Sequence, residues 1–558
     1  MDFFFSKTKI VTLDGIHLTQ DHILTGYKAP WDDFNFITTF NLTFVMNNNS
    51  IQLGEIKLLA NGYKDTSSYL SNKGKLLSDG KTYEISEVLD PLNVVSLASD
   101  IKFYQQLNKI FNTVQTRQLL QGICDASYYQ TNIDEFKTWD GFHESLLRDG
   151  TSVEARINKG YQIATGQYSP PKQFDIEIET LPESFEPLTF SFNSERPLGP
   201  TNINLLIGKN GVGKSHILKH LTELITGIVD SGKSWPYFHK LIVSAYSPFE
   251  TFHTKSKIIE LLTNKNTPDG VNSRELNKER KQRLQKTNKY SYIGYRNESG
   301  KFQLDWPIEH SARSLANILE FDYTHGWWEA KTRYATLLET LQLSIDFDTL
   351  AFTTNDKGLI EIDETFRKKP ATEKRNINFR AGITFLKEGK AKNLSSGQII
   401  YSYIIPALVA EIEQECLIII DEPELYLHPN MEVALIEMLK LLLQQTNSYA
   451  IIATHSAVMA REVDKEAVSI LRRTEAKTTV SQPSIETFGG AIDLIIGTVF
   501  NDYKMPKPYQ LEIDKKIGPN GKVDEVMKQI GADIGDEALV YIASKFTAED
   551  SDKFFEDR

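Results

Sequence analysis

Residues 208–215 read GKNGVGKS and carry the two glycines, the lysine and the hydroxyl residue of a phosphate-binding turn. Gly208, Lys209, Asn210, Gly211, Val212 and Gly213 form a turn whose consecutive backbone N–H groups can face phosphate oxygens. Lys214 is expected to neutralise the β- and γ-phosphates of a nucleotide, and Ser215 to ligate Mg²⁺ through its hydroxyl. Further along, Asp421 and Glu422 close the apolar run in CLIIIDEPELYLHP, and His455 closes the one in SYAIIATHSAV. Asp421 would hold the metal, commonly through a water, and Glu422 would orient or deprotonate an attacking water. His455 would donate a hydrogen bond to the γ-phosphate. Together these residue types can hydrolyse a nucleoside triphosphate.

That chemistry needs elements to deliver it. Ile203, Leu205, Leu206 and Ile207 make a short apolar run suited to a strand covered on both faces. Ile217, Leu218, Leu221, Leu224, Ile225 and Ile228 then keep helical spacing, so the turn opens a helix whose dipole favours an anion. Leu241 to Ala245 and Leu417 to Ile420 read as further buried strands, and 431–445 as an apolar-rich helix. Neighbouring parallel strands would bring Glu422 and His455 to one carboxyl edge, where ligands of open α/β sheets bind. Ser247, in the loop after Ala245, is a weak candidate for sensing the γ-phosphate. Ser395, Ser396, Gly397 and Gln398 precede a long apolar helical run, which sets exposed N–H groups at a helix start that suits a phosphate. Pro406 falls inside that run and should kink or divide the helix.

A chain of 558 residues has room for roughly three to four domain-sized units. Its 62 basic and 74 acidic residues leave a net charge of -12, so the whole is not built to wrap nucleic acid. Locally, Arg274, Lys278, Arg280, Lys281, Arg283, Lys286 and Lys289 face only Glu275 and Glu279. A solvated helix face and a contact to a nucleic-acid backbone both fit that stretch. Cys124 and Cys416 cannot make a disulfide framework and read as buried thiols of a reducing compartment. No signal peptide or membrane span is legible, since Glu411, Glu413 and Glu415 break the most apolar segment, so a cytoplasmic location and no membrane contact are expected. Toward the N-terminus, 39–59 alternates as a hairpin and 92–145 turns helical, with Tyr104, Tyr128, Tyr129, Trp139 and Phe142 read as core. FDIEIE and LTFSFN read as two strands leading into the one at 203. Trp327 and Trp328 receive no role.

GKNGVGKS, LSSGQ, LIIIDEPE with ELYLHP, and ATHS, in this order between 201 and 460, resemble the ATP-binding-cassette (ABC) ATPases, nearer the SMC, RecF and OLD branch than the transporters. The resemblance implies ATP and Mg²⁺ as ligands. It also implies a head-to-tail homodimer in which Ser395, Ser396, Gly397 and Gln398 of one subunit close over ATP held by Lys214 of the other. SLASDIKFYQQL, DGFHESLLR, YSYIGYR and ETFGGAIDLIIG are similar to the PtuA ATPases of Septu and retron-associated antiphage defence. That likeness implies an HNH nuclease partner, PtuB, and in the retron form a reverse transcriptase with its RNA-linked DNA. Residues 246–250 lack the glutamine of transporter cassettes. Asp550 and Asp552 have the spacing of a nuclease pair, yet no apolar strand precedes them, so the tail is read as solvated and the chain as lacking its own nuclease.

The fold expected is α/β, with an ABC-type P-loop ATPase core in two parts, 174–253 and 381–500. An N-terminal β-rich and helical region (1–173) precedes it, a partly helical insertion (254–380) divides it, and a C-terminal helical tail (501–558) follows. The activity expected is slow ATP hydrolysis that regulates a partner nuclease. A nucleotide-gated scaffold with negligible turnover and a DNA-repair ATPase of the RecF or SMC kind are the alternatives.

Overall fold

The structure, a computed structural model, describes residues 1–8, 13–25, 30, 36–47, 49–146, 151–229, 238–265, 290–325, 332–362, 366, 374–475, 477–499, 507–517 and 534–545. The basic stretch from Arg274 to Lys289, the Trp327–Trp328 pair and the acids Asp550 and Asp552 lie outside the described residues.

A seven-stranded sheet organises the second half of the chain. Its order is Tyr290–Gly294, Leu241–Ala245, Leu417–Asp421, Tyr449–Thr454, Ile203–Gly208, Val468–Arg473 and Thr478–Ser481. The first six strands are parallel and the last is antiparallel. Side chains alternate across a strand, and here both faces are apolar. Ile203, Leu205, Ile207, Ile418, Ile420 and Ile452 pack on one side, with the helices Trp306–His325, Ser396–Glu411 and Pro429–Gln445. Leu206, Leu417, Ile419 and Ile451 pack on the other, against the helix Lys214–Ile225 and the hairpin Gln173–Ile178 with Leu188–Asn193.

Register decides what the carboxyl edge carries. Asp421 pairs with Ala245 on one side and Ala453 on the other, and Thr454 pairs with Ile207. The strand ends therefore fall level, and Gly208, Glu422 and His455 leave the sheet at one edge.

One reading from sequence changes, and one of the two outcomes expected at Pro406, division of the helix, is excluded. Tyr290–Gly294, placed within the insertion, is the edge strand of the core sheet and pairs in parallel with Leu241–Ala245. The helix at 396–411 runs undivided through Pro406. A proline removes one N–H and crowds the preceding turn, but this helix is held by tertiary packing, with Ile404, Ile405, Ala407 and Leu408 all buried.

A four-stranded antiparallel sheet beside the helix Trp306–His325 takes Leu359–Glu361 and Thr349–Thr353 from the expected insertion, and Ile383–Lys387 and Lys390–Ala391 from the start of the part expected at 381–500. The N-terminal region forms its own seven-stranded sheet, and the hairpin expected at 39–59 is present as Thr39–Met46 and Asn49–Ala60. Tyr104, Trp139 and Phe142 are buried in its cores, and Tyr128 and Tyr129 pack against them, as a core reading requires. In the tail, Pro508–Ile517 and Asp536–Ala543 are helices that meet through Ile513 and Ile542. Among the described residues no helix is long and apolar enough to cross a membrane.

Candidate nucleotide site

The turn that follows Ile203–Gly208 takes left-handed backbone at Gly211 (φ 80°) and Gly213 (φ 102°). Gly213 is forced twice over, because a Cβ there would stand 2.6 Å from the ring of Phe185. The turn is braced from outside: Thr478 Oγ1 donates to the Val212 carbonyl at 3.2 Å. Lys209, Asn210 and Gly211 face solvent, and the helix Lys214–Ile225 starts at the lysine, so its free N–H groups point at the turn.

Lys214 lies buried at the foot of the turn, donating to the Gly208 carbonyl at 3.2 Å. Its Nζ is 2.5 Å from His455 Nε2 and 3.5 Å from Glu422 Oε1. His455 Nε2 and Glu422 Oε1 are 3.1 Å apart, which closes a triangle of base, imidazole and ammonium. Burial lowers the Lys214 pKa, and the charges of Glu422 and Asp421 oppose that shift. The hydrogen bond from His455 lowers the Glu422 pKa against partial burial, so the carboxylate stays ionised and able to accept a proton. Glu422 itself sits in left-handed backbone (φ 48°) at the strand end, and its N–H donates to the Ala453 carbonyl at 2.9 Å. Such a conformation is unusual for a residue other than glycine and is held here by the flanking sheet.

Asp421 is buried beside this triangle. Burial pushes its carboxyl up to about 6, against a hydrogen bond with Ser215. Its Oδ1 has no hydrogen-bond partner, a costly arrangement unless something positive meets it. An oxygen-seeking cation such as Mg²⁺ suits that pair, a carboxylate and a hydroxyl with an unmatched buried oxygen between them.

The serine-glycine corner stands at the start of the helix Ser396–Glu411. Ser395 caps it in a reciprocal box: Gln398 N–H donates to Ser395 Oγ at 3.4 Å and Ser395 N–H to Gln398 Oε1 at 3.1 Å. Gln398 Nε2 also donates to the Ser344 carbonyl at 3.0 Å. Ser395 and Ser396 are exposed, whereas Gly397 is buried where a Cβ would come within 2.6 Å of Met431 Sδ. Ser247 Oγ accepts the Phe249 N–H at 3.4 Å within its own loop.

Sequence reasoning missed four participants. Glu424 Oε1 accepts the backbone N–H of His455 at 2.5 Å, and Glu432 accepts the Ser456 hydroxyl. The acid three places after Asp421 was visible in DEPE and could have been marked by that spacing. Phe185 and Thr478 reach the turn from remote segments, and no local pattern announces them.

Residues 203–460 match the family described as AAA domain, putative AbiEii toxin, Type IV TA system. This AAA match spans all the motifs above and just under half of the chain, and it supports a nucleotide-binding ATPase fold. Over nearly the full length the chain is similar to protein ea59 of Escherichia phage lambda, 24% identical over 545 residues and covering 94% of each. Among solved structures, the SMC head domain from Thermotoga maritima is 11% identical, with a TM-score of 0.27, over 56% of this chain and 100% of that one. An ATP-binding cassette of an ABC transporter in its ADP conformation is 13% identical, with a TM-score of 0.25, over 59% and 91%. The mixed α/β core stands on its own sheet order and phosphate turn.

Proposed function

We infer that the chain binds ATP at the 208–215 turn and hydrolyses it with Glu422 as the base. The observation that carries this reading is the meeting of Lys214, Glu422 and His455 within 3.5 Å at the carboxyl edge, beside the buried Asp421. Backbone N–H groups of 208–213 and the Lys214 ammonium bind the phosphate oxygens. Ser215 and Asp421 are the residues that would hold Mg²⁺, which supplies neutralisation of phosphate charge when bound. Glu422 orients a water and takes its proton, and His455 holds that carboxylate in place.

The exposed corner at Ser395 and Ser396 supports a homodimer in which each copy seals the other's nucleotide. The segments similar to PtuA support control of an HNH nuclease, PtuB, with a reverse transcriptase and RNA-linked DNA in a retron form. Co-purification of an HNH protein with this chain tests that partner. The full-length likeness to a phage protein favours a second reading, an ATPase that serves a phage or prophage; purification without any HNH nuclease would favour it.

Binding of a fluorescent ATP analogue tests the site. Lys214→Ala removes a charged hydrogen-bond donor, and affinity is expected to fall at least about tenfold. Unchanged affinity in that variant would defeat the assignment.

A further inference from the structure

The corner 454–456 is tethered by two acids that the reaction scheme above does not use. Glu424 lies in the short turn Pro423–Tyr426, two residues beyond Glu422, and its Oε1 accepts the His455 backbone N–H at 2.5 Å. Glu432, in the helix Pro429–Gln445, accepts the Ser456 hydroxyl. The corner is also closed on itself: Ser456 N–H donates to Thr454 Oγ1 at 2.9 Å, and Met459 N–H donates to Ser456 Oγ at 3.0 Å. A peptide N–H held by a side-chain oxygen is a directional bond, and inside the protein it is strengthened by the low local dielectric. Both acids follow Glu422 in the chain, so the segment that supplies the base also grips the backbone of the residue that aligns it.

We propose that Glu424 is a positioning residue for ATP hydrolysis: through the His455 peptide it fixes where the imidazole stands relative to Glu422 and the phosphate. This rests on the hydrolytic reading of the site. Glu424 touches neither phosphate nor water in this role, so it acts on the chemical step and leaves nucleotide binding by the 208–215 turn alone. Its oxygen, rather than its charge, makes the tether, and an amide oxygen can replace it. The effect must also travel through the His455 side chain, which makes the two residues interdependent.

Steady-state ATP hydrolysis by the full chain tests this, with Glu424→Ala and Glu424→Gln each made in the presence of His455 and of His455→Ala. Misplacing a group by a fraction of an ångström to an ångström costs up to about 100-fold, so Glu424→Ala is expected to lower kcat about tenfold. KM for ATP should stay within about threefold, and Glu424→Gln should recover kcat to within about threefold of the parent, because its carbonyl still accepts the N–H. In the His455→Ala background, Glu424→Ala should cost less than about twofold, the signature of coupled residues in a double-mutant cycle. An equal tenfold loss in both backgrounds, or no loss in either, overturns the proposal. Should Glu424→Ala fail to fold, Glu424→Met keeps the length of the side chain, removes the acceptor of the His455 N–H and carries the same expectation in both backgrounds. Parent protein that releases phosphate no faster than Lys214→Ala defeats the hydrolytic reading, and this inference with it; turnover in the parent confines any failure to Glu424.

Discussion

At the residue scale, the site is a set of small steric decisions. Gly213 holds φ 102° against the ring of Phe185, and any side chain there is strained by its backbone and by that contact. Gly213→Ala is expected to cost about 1–3 kcal/mol of stability, measurable by urea denaturation, and to weaken nucleotide binding in parallel. A variant as stable as the parent, with full affinity, would show that the turn can relax away from Phe185. The residues proposed to do the chemistry were legible in sequence because each lies in a short local pattern: the turn at 208–215, the acids after a buried strand, the histidine after another. Phe185, Thr478 and Glu432 were not, because their contacts join segments far apart in the chain, and periodicity carries no record of such contacts.

At the element scale, short unbroken apolar runs were enough to mark the core strands at 203–207, 241–245 and 417–420, since a strand covered on both faces must be apolar on both. That pattern did not reveal that Tyr290–Gly294 joins the same sheet, because an edge strand flanked by basic sequence offers a weaker signal. Nor did it decide between a kinked and a divided helix at Pro406; the helix is undivided because tertiary burial outweighs local propensity. The helix Pro429–Gln445 links two parts of the site: Met431 packs on Gly397 while Glu432 holds Ser456.

In the N-terminal sheet region, the segment after the helix Thr113–Gly122 buries Asp125 with Tyr104 (2.9 Å) and Ser127 (2.5 Å) as donors. Burial pushes Asp125 up to about 6 despite those bonds and the charge of Arg156. A carboxyl whose folded pKa is raised stabilises most below its ordinary value of 3.8 and loses that contribution as pH climbs through about 6. Asp125→Asn removes the titration. The melting temperature of the parent relative to this variant should therefore fall as pH rises from about 3.8 to about 6 and level off above that, and a parent that gains on the variant over that range would contradict the burial argument.

At the scale of the whole molecule, the N-terminal region meets the core sheet at the far end of the strand that carries Asp421. Lys102 donates to Glu413 at 2.8 Å, just ahead of Leu417–Asp421. A surface ion pair of this kind contributes at most about 1 kcal/mol, so the contact orients the two parts more than it stabilises them. The central claim is that the carboxyl edge of the core sheet hydrolyses a triphosphate with Glu422 as base. Phosphate release by the parent and by Glu422→Gln at saturating ATP and Mg²⁺ tests it most directly. Loss of a general base costs about 100- to 10,000-fold, so the variant should turn over at least about 100 times more slowly while its ATP affinity holds. Equal rates of release from the two proteins would contradict the account.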